Sequence, residues 1–157
     1  MNIYLISVGN RMPGWVVEGY QEYARRMPAE CALHLIEIGP GHRGKNADIS
    51  RTVRDEGERM QKAIPKGCQV LALDLSGTAM STEQLSAKLE TWMADSRDLA
   101  LLVGGPEGLA ADCLQKAQGR WSLSPLTLPH PLVRVVVAEQ LYRAWSLMRN
   151  HPYHRAG

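Results

Sequence analysis

Two short and almost uninterrupted apolar runs constrain the fold more than any other feature. Residues 68–75 (CQVLALDL) and 98–105 (DLALLVGG) have the length of strands, and the second run stops at two glycines. Such runs are typical of parallel strands that are covered by helices on both faces. Between them, Ser81 and Gln84 have the spacing of a capping box, which predicts a helix that ends near Asp95. The two runs and this helix therefore predict a strand–helix–strand crossover.

Along the rest of the chain, the hydrophobic pattern also alternates between the period of about two typical of strands and the period of about 3.6 typical of helices. The other predicted elements are strands at 3–8 and 33–38, an extended segment at 121–128, and helices from Pro13, over 47–63, over 109–118 and after Pro131. No repeat or linker interrupts them, so residues 1–157 are predicted to form one domain. The predicted fold class is α/β, with a mainly parallel sheet and helices on both faces. Ligands bind such sheets at the carboxyl ends of the strands, in the loops 9–14, 39–46, 74–80, 104–108 and 126–131.

Composition places the chain among ordinary globular proteins, with 45% hydrophobic and 22% charged residues. No apolar run is long enough to cross a bilayer, and the first ten residues lack the pattern of a signal peptide. The three cysteines are scattered, which favours reduced thiols over disulfides or a zinc site. We therefore expect a cytoplasmic protein with no membrane association.

The charge is unevenly distributed although the net charge is only +2. After Glu139 no acidic residue follows, whereas several arginines and histidines do. A second basic segment is GHRGK, residues 41–45. These segments are either solvated surfaces or a surface for a polyanion such as RNA.

The last predicted helix carries two adjacent apolar stripes. The first contains Val133, Val137, Leu141, Ala144 and Met148, and the second contains Val135, Ala138, Tyr142 and Trp145. Together the stripes cover roughly 200° of the helix surface, about twice what one core requires. One stripe is expected on the sheet and the other against a second copy in a homodimer, although two layers of the same chain would also cover both. Arg134 falls between the stripes and must be paired, for example across that interface, or face a ligand.

Residues 39–46 (GPGHRGKN) fit the P-loop pattern GxxxxGK, which makes a nucleoside triphosphatase the alternative function. A P-loop needs serine or threonine after the lysine to hold Mg²⁺, and Asn46 stands there instead. This departure at Asn46 argues against a nucleotide site of the P-loop kind.

Two further motifs follow predicted strands. GGPEG, residues 104–108, combines glycines, which let a ligand approach the backbone closely, with the carboxylate of Glu107. The segment is either a ligand-binding loop or a tight strand-to-helix connection. In SLSPLTLPHP, residues 122–131, prolines hold His130 in a rigid turn at a helix start, where it either packs or contacts a ligand. A metal site from His130, His151 and His154 is an alternative, but neither the spacing nor the ligand types require one, and no metal is predicted.

Three segments together identify a family resemblance. GGPEG, LTLPHPLVRVVVAEQLYRAWS and the terminal NHPYHR closely resemble the RlmH-type family of SPOUT methyltransferases, and the resemblance extends over essentially the whole chain. It implies a SPOUT fold with a deep C-terminal trefoil knot, which pattern reasoning would not predict because knots are rare. It also implies a homodimer that uses S-adenosyl-L-methionine to methylate N3 of a pseudouridine in helix 69 of bacterial 23S rRNA, acting on assembled 70S ribosomes.

The resemblance also implies where the site residues lie. The methyl donor is expected to contact Leu73, Gly104, Gly105, Ser122, Leu123, Ser124, Pro125, Leu126, Thr127 and Leu128. In the tail, His154 is the expected base or orienting group, Tyr153 is expected to stack on or hydrogen-bond the target base, and Arg155 to meet phosphate or developing negative charge. His130 and Glu107 remain alternatives for the base.

Seven basic residues are the candidates for contact with the RNA backbone: Arg11, Arg25, Arg26, Arg43, Lys45, Arg51 and Arg54. The same basic surface would also suit a dimeric RNA- or ribosome-binding protein without enzymatic activity. Such a protein would have no reason to keep a glycine-lined donor loop, so binding of S-adenosyl-L-methionine separates the two hypotheses.

Overall fold

A computed structural model describes residues 1–155 as a five-stranded sheet with helices on both faces. The strands are β1 (Asn2–Val8), β2 (Ala32–Ile38), β3 (Gln69–Ala79), β4 (Leu99–Val103) and β5 (Gly119–Ser122). All neighbouring strands are parallel, in the order β2-β1-β4-β3-β5. The predicted α/β class with a parallel sheet is therefore confirmed, while the knot and the single-domain organisation stay predictions.

The helices divide between two hydrophobic cores. They are α1 (Gly14–Ala24), α2 (Ile49–Ala63), α3 (Thr82–Ala94), α4 (Ala111–Lys116) and α5 (His130–Met148). Buried residues of α1, α3 and α5 share one core, and α2 and α4 cover the other face of the sheet. Ser81 and Gln84 form the predicted capping box at the start of α3. No helix among residues 1–155 is long and apolar enough to cross a membrane.

Two predicted boundaries were wrong, and both errors lie at the carboxyl edge of the sheet. The strand predicted over residues 68–75 leaves the sheet after Leu73 and pairs again at Thr78. Both of these residues pair with Trp121, so residues 74–77 form an excursion from β3. The extended segment predicted to reach residue 128 ends at Ser122. Beyond it, Ser122 donates to the Ser124 carbonyl and the Leu126 amide donates to the Ser124 hydroxyl, which turns the chain away from the sheet.

Helix α5 packs between α1 and α3, with part of its surface buried and the rest half-buried. Gly19 of α1 lies against Val135, while Tyr142 and Trp145 pack on tail residues. In the second apolar stripe, Ala138 and Tyr142 are buried within the same chain, whereas Val135 and Trp145 stay partly exposed. The homodimer stays a prediction.

Candidate active site

A cleft of about 770 Å³ opens at the carboxyl edge of the sheet, and we call it the main cleft. Its walls come from the end of β3 and its excursion, the loop after β4, and the segment that joins β5 to α5. Nine of the ten predicted donor-binding residues line it, namely Leu73, Gly104, Gly105, Ser122, Leu123, Ser124, Leu126, Thr127 and Leu128. Pro125 does not line it. The structure thus brings three separated segments together, while their role in donor binding stays a prediction.

Residues 104–108 form a tight turn that folds back onto the end of β4. The Gly108 amide donates to the Gly105 carbonyl at 3.0 Å, Pro106 follows Gly105, and Gly108 has a φ of +85°. A β-carbon on Gly104 would lie 2.3 Å from the Gly108 carbonyl carbon. Proline and glycine favour these turn positions, and Gly104 is required because backbone packs directly against it.

A network of ion pairs, anchored on the buried Glu56, fixes this turn to the loop at residues 39–46. Arg43 donates to both oxygens of Glu56 at 2.6 and 3.0 Å, and to Glu107 at 2.8 Å. These hydrogen bonds raise the pKa of Arg43 and lower the pKa of Glu107. Arg43 is therefore already saturated with partners, which argues against its predicted contact with RNA phosphate. A carboxylate held in its charged form is a weak base, so Glu107 is also a poor candidate for the catalytic base.

The same network argues against the P-loop alternative. The Gly41 amide, which would have to face a phosphate, donates to Glu56 at 2.8 Å. Glu56 is only 2% exposed, so its carboxylate is buried beneath the loop and takes the place that a phosphate would need. A phosphate in this loop would meet a buried negative charge.

His130 stands at the start of α5 on the rim of the main cleft. Its Nε2 atom lies 3.4 Å from the position that a β-carbon on Gly9 would take, so the ring also touches the loop after β1. Partial burial lowers the pKa of His130, and the nearby Arg134 and Arg43 lower it further. The lowered pKa favours the neutral ring, which keeps one ring nitrogen as a hydrogen-bond acceptor but makes His130 a weaker base than an ordinary histidine.

Arg134 is almost fully buried, and its partners belong to the same chain. It donates to Glu37 at 2.8 Å and to the Gly9 carbonyl at 2.6 Å. This is the ion pair that the sequence predicted, but within one subunit and with β2 rather than across an interface. It ties α5 to the loop that follows β1.

The C-terminal tail, residues 150–155, is packed against the far end of α5. The Ser146 hydroxyl donates to the His151 carbonyl at 2.9 Å and accepts from the His154 amide at 3.1 Å. The Tyr153 ring lies 4.7 Å from the Tyr142 ring. Partial burial raises the pKa of Tyr153 to about 12, so its phenol stays protonated and acts as a donor.

The tail does not reach the main cleft of its own subunit. His130 opens α5 at the cleft, whereas Tyr153 contacts Glu139 and His154 contacts Ser146. At 1.5 Å per residue these contacts lie about 14 Å and about 24 Å from His130 along the helix. None of Tyr153, His154 or Arg155 lines the cleft. Within one chain, the predicted catalytic residues of the tail are therefore separated from the predicted donor site, whereas His130 and Glu107 lie beside it.

The other predicted RNA contacts divide into two groups. Arg11, Lys45, Arg51 and Arg54 are exposed, and their side chains have no hydrogen-bond or ion-pair partner within residues 1–155. Arg25 and Arg26 both pair with Glu22, and Arg26 also lies 5.7 Å from the ring centres of Tyr142 and Tyr153. Across residues 1–155, no group of three histidine, cysteine or acidic side chains is arranged to hold a metal ion.

The donor-binding residues named from the sequence leave out several residues of the site, although Asp74 and Leu75 lie in the predicted ligand loop 74–80. Asp74, Leu75 and Trp121 line the main cleft. The Asp74 carboxylate accepts hydrogen bonds from the amide and hydroxyl of Ser76, which shapes the excursion of β3. An Asp-x-Ser-Gly sequence directly after an apolar strand was the available signal for a turn at this point.

Comparison with known proteins places this geometry in a family. The family model described as "Predicted SPOUT methyltransferase" matches residues 1–154. The chain belongs to the SPOUT methyltransferase family. This SPOUT methyltransferase is 62% identical over 155 residues to "Ribosomal RNA large subunit methyltransferase H" of Thioalkalivibrio sulfidiphilus, with 99% of each chain covered. It is 57% identical to the protein of the same name from Methylococcus capsulatus, covering 99% of this chain and 100% of that one.

Solved structures support the fold. A probable methylase family protein from Haemophilus influenzae matches with a TM-score of 0.55 at 15% identity, over 99% of this chain and 70% of that one. TrmJ from Z. mobilis matches with a TM-score of 0.53 at 14% identity, over 90% and 69%. At this level of identity the similarity concerns the arrangement of strands and helices.

Proposed function

We propose that this SPOUT methyltransferase uses S-adenosyl-L-methionine to methylate N3 of a pseudouridine in helix 69 of bacterial 23S rRNA, on assembled 70S ribosomes in the cytoplasm. The observation that carries the proposal is 62% identity, over nearly full length, to a protein named as a large-subunit ribosomal RNA methyltransferase. The main cleft and the basic side chains near it supply the chemistry that such an activity requires.

The main cleft has the size and lining expected for the donor. Its volume of about 770 Å³ lies within the range of about 300–1,000 Å³ typical of small-molecule sites. Leu73, Leu126 and Leu128 offer apolar surface for an adenine ring, and the backbone at Gly104 and Gly105 is within reach of a ligand. When bound, the donor supplies a methyl group on a positively charged sulfur. The residues of this cleft would hold and orient it, and would exclude water.

The tail supplies the residues for the target base. We assign His154 as the group that accepts or orients the N3 proton, Tyr153 as a hydrogen-bond donor or stacking partner, and Arg155 as the contact for phosphate or developing charge. His130 is the alternative base, since its ring is neutral and stands on the rim of the main cleft. The base would have to lie within hydrogen-bond reach of the proton that it removes.

The distance between the tail and the main cleft supports a homodimer with shared sites. Two-fold symmetry would bring the tail of one subunit to the cleft of the other, twice in the same dimer. The test mixes two impaired variants, one lacking residues 151–157 and one in which Gly104→Ala weakens donor binding, at a donor concentration near the wild-type Kd, where each variant alone transfers little. Mixed dimers regain activity if each site takes its tail from the partner. If the mixture stays inactive while each variant still dimerises, shared sites are excluded.

The activity itself is tested with purified protein, radiolabelled S-adenosyl-L-methionine and ribosomes from cells that lack the modification. Label that appears as N3-methylpseudouridine in the large-subunit RNA supports donor, reaction and substrate together. Donor binding without transfer would leave the main cleft assigned and the substrate wrong. Ribosome binding without donor binding would favour the alternative, a dimeric RNA-binding protein without enzymatic activity.

A further inference from the structure

A second cavity of about 510 Å³ adjoins the main cleft, and we call it the side cavity. It lies between the loop after β1, the loop after β2 and the turn at residues 104–108. Pro106 and His130 line both cavities. The two spaces therefore meet at these two side chains, which is the arrangement needed when a group passes between two bound molecules.

The walls of the side cavity are held in place from behind. Gly9 has a φ of +113°, its amide donates to Ile38 at 2.7 Å, and its carbonyl accepts from the buried Arg134 at 2.6 Å. On the opposite side, Arg43 binds the buried Glu56 and thereby fixes the turn that carries Pro106. A cavity with walls fixed in this way is preformed, which reduces the entropic cost of binding.

The lining combines flat apolar surface with one free cation. Met12, Pro40 and Pro106 offer apolar faces, and Asn10 offers an amide that both donates and accepts hydrogen bonds. Arg43 also lines the cavity, but its guanidinium is already bound to two carboxylates. Arg11 is exposed at the cavity and has no partner for its guanidinium within residues 1–155.

We propose that the side cavity receives the target base, a uracil-type ring turned out of its RNA, with His130 beside the junction of the two cavities, so that N3 of the base can meet the donor methyl group directly. This inference rests on the proposed function and extends it. Enzymes that modify a base take it out of the stack and hold it between apolar side chains while its polar edge is hydrogen-bonded. Met12, Pro40 and Pro106 provide the apolar contacts. Asn10 and Arg11 face the carbonyl oxygens, where negative charge gathers once N3 has lost its proton.

The experiment fills the side cavity without touching the main cleft. Met12→Trp places a bulkier ring in the cavity, and Arg11→Ala removes its free cation from an exposed position where folding is not at risk. Lys88→Ala, an exposed cation on α3, is the control. For each protein, calorimetry gives the Kd for S-adenosyl-L-methionine, the melting temperature reports folding, and single-turnover transfer to ribosomes gives the rate.

We expect Met12→Trp to keep the donor Kd within about twofold, because Met12 does not line the main cleft, and to slow transfer at least about a hundredfold. Arg11→Ala should slow transfer about tenfold or more at saturating ribosomes, since loss of a transition-state hydrogen-bond donor has effects of this size. Lys88→Ala should match the wild type.

Normal transfer by folded Arg11→Ala would overturn the proposal, whether or not Met12→Trp folds. Transfer that is lost together with donor binding would also overturn it, because the substitution would then act on the main cleft. Failure of the wild type to transfer label would instead reject the proposed function. The two failures are therefore distinguishable.

Discussion

The two ends of α5 are built for different tasks. At its first residue, His130, the helix meets loops that are rich in glycine and proline and leave two adjoining cavities open. At its other end the chain turns back through Asn150, which has a φ of 54°, and residues 151–155 close against Tyr142 and Ser146. One end presents surface to a ligand, and the other holds titratable and aromatic groups in fixed positions.

This contrast explains why a single chain looks incomplete as an enzyme. The cleft end offers binding surface and one neutral histidine, but few other groups able to move a proton. The tail end holds His151, Tyr153 and His154, none of which lines the main cleft. A helix of 19 residues keeps the two ends about 28 Å apart, so a second subunit is the simplest way to join them.

The largest expected effect is that of removing the tail. Deletion of residues 151–157 should lower methyl transfer at least about a hundredfold, the usual contribution of acid–base catalysis, while the donor Kd stays within about twofold. Calorimetry and a single-turnover assay measure the two quantities on the same preparation. Because Tyr142 and Trp145 lose their cover, the melting temperature should also fall. Normal transfer by the truncated protein would show that the tail end takes no part in the reaction.

The next effect is expected at the cleft end. Gly104→Ala puts a methyl group 2.3 Å from backbone, so the turn at 104–108 must shift, and the donor Kd should rise about tenfold to a hundredfold. Gly14→Ala is the matched control, because nothing lies within 4 Å of its β-carbon and alanine favours the helix. An unchanged Kd in Gly104→Ala would mean that this turn does not contact the donor.

The same contrast between the two ends of α5 appears in what the sequence predicts. Apolar runs and caps locate the strands and helices, because period and capping are local properties. The motifs locate most of the main cleft, because the carboxyl ends of parallel strands meet at one edge. Arg43 and Arg134 bind partners that lie 13 to 125 positions away in the sequence. Hydrophobic periodicity is a local property and does not predict such contacts. The packing of the tail against Ser146 joins residues only five to eight positions apart, but it depends on the turn at Asn150, which helical periodicity does not predict.

A smaller effect separates the packed tail from a tail that swings out. Ser146→Ala removes the hydroxyl that holds His151 and His154, and should cost about 1–2 kcal/mol of stability and slow transfer severalfold. Ser86→Ala is the matched control, because its buried hydroxyl donates to the Ala144 carbonyl of the same helix without touching the tail. Chemical denaturation and the transfer assay are run on both. Faster transfer in Ser146→Ala would show that the packed tail is an inactive arrangement.

The smallest effect is the titration of His130, and it tests whether the ring at the cleft end is neutral. Burial, Arg134 and Arg43 lower the pKa of this ring, so its NMR titration should have a midpoint below the ordinary value of about 6.5. Arg134→Met should move the midpoint upward, because a neighbouring positive charge is removed, whereas Arg97→Met should not. The folded protein binds this proton less readily than the unfolded chain does, so stability should decline as pH falls through 6.5. A midpoint above 6.5 would mean that the folded protein favours the charged ring, which would contradict the neutral His130 assigned to the cleft end.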